Sequence, residues 1–234
     1  MKHLAICIGL LGNSFFAVAQ LNYERSDFER INKAYAQFKT LQTEVDYVYY
    51  PDHVSKTPGE TLRAVLSLNG TSYHYRLQDM ETLSTPEMTL LADHEEKQIM
   101  LDRTQRSVKQ MLLGADLDQL LSVCTKIRFS YPSQGIKKYE LYAELAETER
   151  IDIYFHTNTF FMQRVVFFYN YTLSEEEGGT GKKPRLELVY RSQNPKPQYA
   201  KDFFSPGRFV RKSGDRFVTV AAFKGYQIQD YLSK

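Results

Sequence analysis

The sequence predicts a mainly β protein of the α+β class. We expect two or three helices and a large antiparallel sheet, curled into an unclosed half-barrel with the helices over its concave face. Three observations support this. Runs with apolar residues at every second position are joined by short turns, which favours antiparallel neighbours. Two stretches instead have helical spacing. The chain also contains 17 Tyr, 15 Phe and no Trp, and aromatic residues favour strands.

The N-terminus has the pattern of a secretory signal peptide. Lys2 and His3 form a short basic start, residues 4–18 are almost uncharged and apolar, and Ala17-Val18-Ala19 provides the small residues that signal peptidase requires. We therefore expect residues 1–19 to be a signal peptide that is cleaved near Ala19. The mature protein, residues 20–234, is then expected to be periplasmic and to fold as a single domain.

The composition of the mature chain argues against several classes of protein. The whole chain has 30 basic and 28 acidic residues, and without Lys2 the 29 remaining basic residues nearly balance the acidic ones. Nucleic acid is therefore not an expected partner, because its binding depends on clustered Lys and Arg. No later segment reaches about 18 apolar residues, so an integral membrane protein is not expected. Cys7 lies in the signal and follows Ile6, which is not the small residue of a lipobox. Cys124 alone remains, and no internal disulfide can form.

The first predicted helix covers about residues 26–42. Ser26-Asp27-Phe28-Glu29 has the form of a capping box, in which Ser26 and Glu29 satisfy each other's free backbone N–H groups. An apolar stripe follows at helical spacing, formed by Phe28, Ile31, Tyr35, Phe38 and Leu41. Such an amphipathic helix needs an apolar surface on which to lie.

Strands are predicted between this helix and a second one. Alternating runs occur at 45–49, 64–68, 73–77, 88–92 and 98–101. Asn69-Gly70 is a strong hairpin signal, and residues 93–96 form a second hairpin turn. The second helix places Leu117, Leu120, Leu121 and Cys124 on one stripe. This stripe predicts a buried, structural thiol at Cys124.

Strands are also predicted after the second helix. Runs typical of strands occur at 127–131, 139–145, 151–155, 160–171, 186–190, 208–211 and 216–222. Residues 160–171 are apolar on both faces, which indicates a central strand covered on each side. Residues 174–184 are acidic and then glycine-rich, which indicates a mobile hairpin loop. Residues 225–228 either pair once more or pack loosely.

No motif indicates catalysis, a metal or another cofactor. The glycine-rich residues 178–183 lack the spacing of a phosphate loop. His94 lies in a charged hairpin tip without a second histidine at ligand spacing. His74 and His156 fall on the polar side of their strands, where we expect them to be exposed. The expected function is therefore not enzymatic.

A half-open sheet with helices over its concave face suits an elongated apolar ligand. The residues expected to contact such a ligand are the apolar ones of the two helices, namely Phe28, Ile31, Tyr35, Phe38, Leu117 and Leu121. The same side chains could instead fill an ordinary core. The sequence does not distinguish a ligand cavity from a filled core.

The order of elements from Ser26 to Ile228 resembles the LolA and LolB family of bacterial lipoprotein carriers. Local similarities are Phe38-x-x-Leu41, Leu90-Leu91-Ala92-Asp93 before Ile99, and Phe203-Phe204-Ser205-Pro206. The resemblance implies an amphipathic helix followed by an unclosed antiparallel barrel with helices in its mouth. The carriers have an arginine and a proline shortly after the second strand, where this chain has Asn69-Gly70.

The residues and the resemblance together predict a periplasmic, non-enzymatic carrier or binding protein. Its ligand would be an acyl chain, a lipoprotein or another apolar molecule, held in the half-barrel. An alternative is an interaction subunit of a cell-envelope or secretion assembly, which would use the same scaffold to bind an envelope protein. A hydrolase with acidic residues gathered in space is a third possibility.

Overall fold

The structure is a computed structural model that describes residues 25–103, 117–143, 147–172 and 181–232. The predicted signal peptide, most of the predicted loop 174–184 and the end of the run 139–145 lie outside these residues. Helix α1 covers residues 25–36 and helix α2 covers Leu117–Ser122. The strands are β1 (Thr40–Tyr50), β2 (Glu60–Asn69), β3 (Ser72–Leu77), β4 (Met80–Ser84), β5 (Thr89–Asp93), β6 (Gln98–Asp102), β7 (Cys124–Ser133), β8 (Ile136–Ala143), β9 (Thr148–His156), β10 (Met162–Tyr169), β11 (Arg185–Asn194), β12 (Val210–Ser213), β13 (Arg216–Thr219) and β14 (Gln227–Asp230).

Twelve strands form one sheet in the order β14-β6-β5-β4-β3-β2-β1-β11-β10-β9-β8-β7. The end strands β14 and β7 do not pair with each other, so the sheet is not closed into a barrel. The predicted fold class is therefore confirmed. Two details differ from the prediction. The C-terminal strand β14 pairs with β6 in parallel, which makes the sheet mixed, and β12 and β13 form a separate two-stranded sheet.

The centre of the sheet joins distant parts of the chain. Strand β1 pairs with β2 on one side and with β11 on the other, and a bulge at Glu44/Val45 shifts the second register. The predicted Asn69-Gly70 turn is confirmed, with Gly70 at a φ of 60°, a value that glycine adopts without steric cost. Strand β10 lies inside the sheet, and its adjacent residues Val165 and Val166 are both buried although they face opposite sides. This confirms the prediction of a central strand covered on each face.

The face of the sheet that carries the helices, here called the inner face, holds the larger core. Tyr139, Ile153, Val165 and Leu188 stand side by side on β8, β9, β10 and β11. All four are buried in one cluster with residues of α1 and α2. The rings of Phe28 in α1 and Tyr139 lie 4.9 Å apart between centroids. The helices therefore cover the inner face of β8–β11.

The opposite, outer face carries a second core in the other half of the sheet. Leu83, Leu90 and Leu101 form a row across β4, β5 and β6. They are buried with Phe209 and Val210, and aromatic residues of the last part of the chain pack against them. The C-terminal segment, residues 195–232, thus covers the outer face of β4–β6.

Several predicted boundaries need correction. Helix α1 includes residue 25, so Ser26 lies within the helix and is not its N-cap. The helix ends at residue 36 rather than 42, because β1 starts at Thr40 and pairs on both sides. Strand β4 was not predicted. Cys124 begins β7 and is not part of α2.

Candidate functional site: the inner face of the sheet

The structure brings the six predicted ligand-contact residues to one place. Phe28, Ile31, Tyr35 and Leu117 are at most 5% exposed and belong to the inner-face cluster, while Phe38 and Leu121 are partly buried and pack against it. Phe38 lies against Phe161, with 5.4 Å between the ring centroids. The four buried side chains form core, and the other two lie at its border.

Helix α1 is attached to the sheet by a buried ion pair near its start. The Lys137 ammonium on β8 donates to Asp27 Oδ2 at 2.6 Å, and the Tyr139 hydroxyl donates to the same oxygen at 2.7 Å. Lys137 is 1% exposed and Asp27 3% exposed. The ammonium also lies 4.4 Å from the centre of the Phe129 ring, a cation–π geometry. The sequence pattern does not predict this group, because it assigns Asp27 to a helix cap and gives no prediction for Lys137.

A second polar contact holds the other end of α1. The Tyr35 hydroxyl donates to Gln193 Oε1 at 2.6 Å and accepts from the Met162 backbone N–H at 3.0 Å. Gln193 in turn donates to the Met162 carbonyl at 2.7 Å. Burial raises the pKa of the Tyr35 hydroxyl well above its ordinary value, so this hydroxyl keeps its proton and stays a donor. With Asp27, Tyr35 fixes α1 in position at two points.

The inner face of β3–β6 is different, because most of its apolar side chains are only partly covered. Tyr75, Leu77, Met80 and Leu91 are half-buried, and Met100 is 36% exposed. Their strands are adjacent in the sheet. Of these five, Tyr75 alone packs against a buried cluster. We call these five residues the open strip.

Two tyrosine hydroxyls give this region polar character. Tyr75 donates to the Tyr47 hydroxyl at 3.3 Å. Tyr73, also on the inner face, is 1% exposed, and its hydroxyl has no hydrogen-bond partner among the residues that the structure describes. Leaving a buried hydroxyl unpaired costs about 1–3 kcal/mol. A hydrogen-bond acceptor near Tyr73 would remove this cost.

On the outer face, the expectation that His74 is exposed is wrong. His74 is 6% exposed, and its Nε2 lies 2.5 Å from Glu81 Oε1. His94 Nε2 lies 3.0 Å from the other oxygen of Glu81, and Arg208 approaches to 3.7 Å. Glu81 thus links both histidines in a polar site under the C-terminal segment, which alternation could not reveal. His156 is exposed, as expected.

No group of three or more His, Cys, Asp or Glu side chains that could hold a metal occurs among the described residues. Within the same part of the chain, no helix is long and apolar enough to cross a membrane.

Cys124 is half-buried rather than fully buried. Its thiol donates to the Leu120 carbonyl at 3.2 Å and its side chain packs against the inner-face cluster. Burial raises the pKa of the thiol, which disfavours the reactive thiolate. The predicted position on the stripe of α2 is therefore wrong, although the contact with that helix remains.

No protein-family model and no curated protein matches this sequence significantly. Among solved structures, the fold is similar to an uncharacterized conserved protein from Thermus thermophilus, with a TM-score of 0.46 and 12% identity over 89% of this chain and 99% of that chain. It is similar to a LolA superfamily protein from Nitrosomonas europaea, with a TM-score of 0.35 and 11% identity over 76% and 96%. It is also similar to the Pseudomonas aeruginosa MucA/MucB complex structure, with a TM-score of 0.37 and 13% identity over 83% and 62%.

These likenesses concern the arrangement of strands only. The distant resemblance to the LolA superfamily, predicted from the order of elements, is confirmed in that sense. Identities and scores of this size carry nothing about a ligand, a partner or a compartment.

Proposed function

We propose that this protein is an exported, periplasmic carrier or binding protein that holds an acyl chain, a lipoprotein or another apolar ligand against the open strip. In this proposal residues 1–19 are the cleaved signal and residues 20–234 form one half-barrel domain. The protein acts by burying apolar surface of the ligand and needs no catalytic group. Each methylene group of the ligand that leaves water contributes about 0.8 kcal/mol.

The observation that supports this proposal is the unequal cover of the inner face. Under the helices, Tyr139, Leu141 and Phe155 are fully buried. On β3–β6, the open strip keeps apolar surface accessible on four adjacent strands. A partly exposed apolar surface beside a packed core is typical of a ligand site.

The six predicted residues have different roles in this proposal. Phe38 and Leu121, which are partly buried at the border of the core, contact the ligand directly. Phe28, Ile31, Tyr35 and Leu117 support the wall of the site from the core side. The ligand lies beside α1 rather than beneath it, because the Asp27 and Tyr35 contacts hold this helix against the sheet.

The test is binding of a fluorescent fatty-acid probe to the purified protein, measured together with thermal melting. We expect Met100→Glu to weaken probe binding about tenfold or more, since a charge in the open strip must be desolvated by the ligand. Melting should change little, because Met100 is 36% exposed. Val54→Glu is the matched control, since Val54 is 83% exposed and lies in the loop between β1 and β2.

The proposal fails if the wild-type protein binds no probe and organic extracts of natively purified protein contain no lipid. It also fails if Met100→Glu and Val54→Glu bind the probe as well as wild type. Phe38→Ala sharpens the result. In a carrier it reduces probe uptake, whereas in a filled core it lowers the melting temperature alone.

A second candidate is an interaction subunit that binds an envelope protein, and one observation favours it. Strand β7 is an edge of the sheet, and nearly all its residues are exposed, including Tyr131 at 57%. An extended segment of a partner could add a strand to this edge. Recovery of one stoichiometric protein partner, with no lipid in the extract, would favour this function over the carrier.

A further inference from the structure

A row of side chains, most of them charged, crosses the outer face opposite the helices. Arg63, Asp46, Val189, Arg164, Tyr154 and Lys138 are successive cross-strand neighbours on β2, β1, β11, β10, β9 and β8. At about 4.8 Å between strands, five spacings cover roughly 24 Å. The row therefore extends over most of this half of the sheet.

The best-defined part of the row is a pair of arginines that share one buried carboxylate. Arg63 donates from Nε to Asp46 Oδ1 at 2.7 Å, and Arg191 donates from Nε to Asp46 Oδ2 at 2.7 Å. The Asp46 side chain is 3% exposed, whereas those of Arg63 and Arg191 are 62% and 55% exposed. Asp46 thus fixes two guanidinium groups side by side with donors directed to solvent.

Two further carboxylates on this face each contact two cations. Arg164 and Arg185 share Glu187, whose side chain is 11% exposed. Lys138 and Arg150 both approach Asp152, whose side chain is 3% exposed. Arg63, Arg191 and Arg164 are more exposed than the carboxylates they contact, whereas the side chains of Arg185 and Lys138 are only 12% and 16% exposed. The cations that solvent meets on this face are therefore mainly these three arginines. Glu140, held by Lys138, and Glu44 are the other acids on this face of these strands.

Aromatic rings hold these cations flat against the sheet. The guanidinium of Arg164 lies 4.2 Å from the ring centre of Tyr154, and that of Arg150 lies 3.7 Å from the ring centre of Phe168. Val166 and Phe168 beneath them are buried but belong to neither apolar cluster. The long basic side chains therefore provide the cover for this face.

We propose that this face, defined by Arg63, Arg191 and Arg164, docks on the phosphate groups of an anionic lipid surface. Guanidinium forks match phosphate oxygens in geometry. The exposed cations reach from β2 to β10, which is three strand spacings or roughly 14 Å. This is wider than one phosphate ion and matches neighbouring lipid headgroups. This role is independent of the ligand on the inner face, and it would bring a carrier to a membrane with its inner face directed away.

The test is co-sedimentation of the purified full chain with phosphatidylcholine vesicles that contain about a third phosphatidylglycerol. We expect binding that falls with salt and is absent on pure phosphatidylcholine. Arg63→Gln, Arg191→Gln and Arg164→Gln should each weaken binding about fivefold, as expected for loss of one cation near an anionic surface. Each leaves another arginine on the buried carboxylate, which keeps the fold intact.

Lys212→Gln is the matched control. Lys212 is exposed on the separate β12–β13 sheet, so this substitution removes the same charge outside the proposed surface. An equal loss with the control would overturn the proposal, since only net charge would then matter. Competition by millimolar inorganic phosphate, or equal binding to pure phosphatidylcholine, would also overturn it. Met100→Glu should keep vesicle binding, which separates this surface from the ligand site.

Discussion

The two halves of the large sheet each bury one apolar face, but they bury opposite faces. In the helix half, β8–β11, the inner face is buried under α1 and α2 and the outer face carries ion pairs. In the strand half, β4–β6, the outer face is buried under the C-terminal segment and the inner face stays partly open. Each half needs only one apolar layer to be stable. The face that remains is available for function in each half, and the two available faces differ in chemistry.

The largest expected effect comes from placing a charge under α1. Ile31 is 0% exposed, so Ile31→Asp leaves an unpaired carboxylate in the core and should cost more than about 4 kcal/mol. Circular dichroism in urea should show a largely unfolded chain. Ala36→Asp, at an exposed position of the same helix, should remain folded. A folded, cooperative Ile31→Asp protein would mean that α1 is a loose lid rather than core.

The buried ion pair should give the next largest effect. Lys137→Met leaves the Asp27 carboxylate buried beside the Tyr139 hydroxyl alone, and we expect a loss of about 3–5 kcal/mol. Adding Asp27→Asn to this variant should recover a large part of the loss, because no buried charge remains. Urea unfolding of the two single variants and the double variant measures the coupling. Additive losses would show that the two residues do not form the pair.

Glu81 makes the strand half sensitive to acid. Burial alone would raise the pKa of this carboxyl, but hydrogen bonds from His74 and His94 and the charge of Arg208 outweigh burial and lower it to about 2 from 4.5. The resulting stabilisation is fully present above about pH 4.5 and is lost as the pH falls toward 2. A shift of this size corresponds to about 3 kcal/mol.

The measurement is the free energy of unfolding between pH 5 and pH 2 for wild type and Glu81→Gln. The variant should be less stable at pH 5 and should show a flatter pH dependence. If Glu81→Gln has the same dependence of the free energy of unfolding on pH as wild type, the acid sensitivity comes from other carboxylates.

The smallest expected effect compares one substitution in both halves. Leu141 on the covered inner face is 0% exposed, while Leu91 in the open strip is half-buried. We expect Leu141→Ala to cost about 3 kcal/mol and Leu91→Ala about 1 kcal/mol. Urea unfolding of the two variants gives the difference directly. Equal losses would show that the open strip is packed as tightly as the core.

The alternation of apolar and polar residues predicted most strands. A strand that has one face in the core and the other in solvent shows this pattern in its sequence. Strand β4 was missed because its alternation is broken by Glu81, a charged residue whose burial is compensated by His74, His94 and Arg208. The Asn69-Gly70 hairpin was predicted because its turn is determined by two adjacent residues. Local patterns were therefore sufficient where the structure depends on local contacts.

The candidate site was predicted less well. The apolar residues of α1 were recognised, since helical spacing identifies a buried stripe. Which face of β4–β6 is covered could not be predicted, because Leu90 and Leu91 are both apolar and only the distant C-terminal segment decides between them. The pairing of Asp27 with Lys137, 110 residues later, likewise has no local signal.

The seam between β1 and β11 has a consequence for how the chain reaches this structure. Thr43 donates to the carbonyl of Ser192, which follows it by 149 residues, so the middle of the sheet closes only when nearly the whole chain is available. Closing so long a loop is entropically costly before any contact compensates for it, which places the protein among slow folders. Until β11 arrives, β1 presents a bare edge to neighbouring chains. A chain interrupted before residue 185 would therefore self-associate through β1 rather than fold.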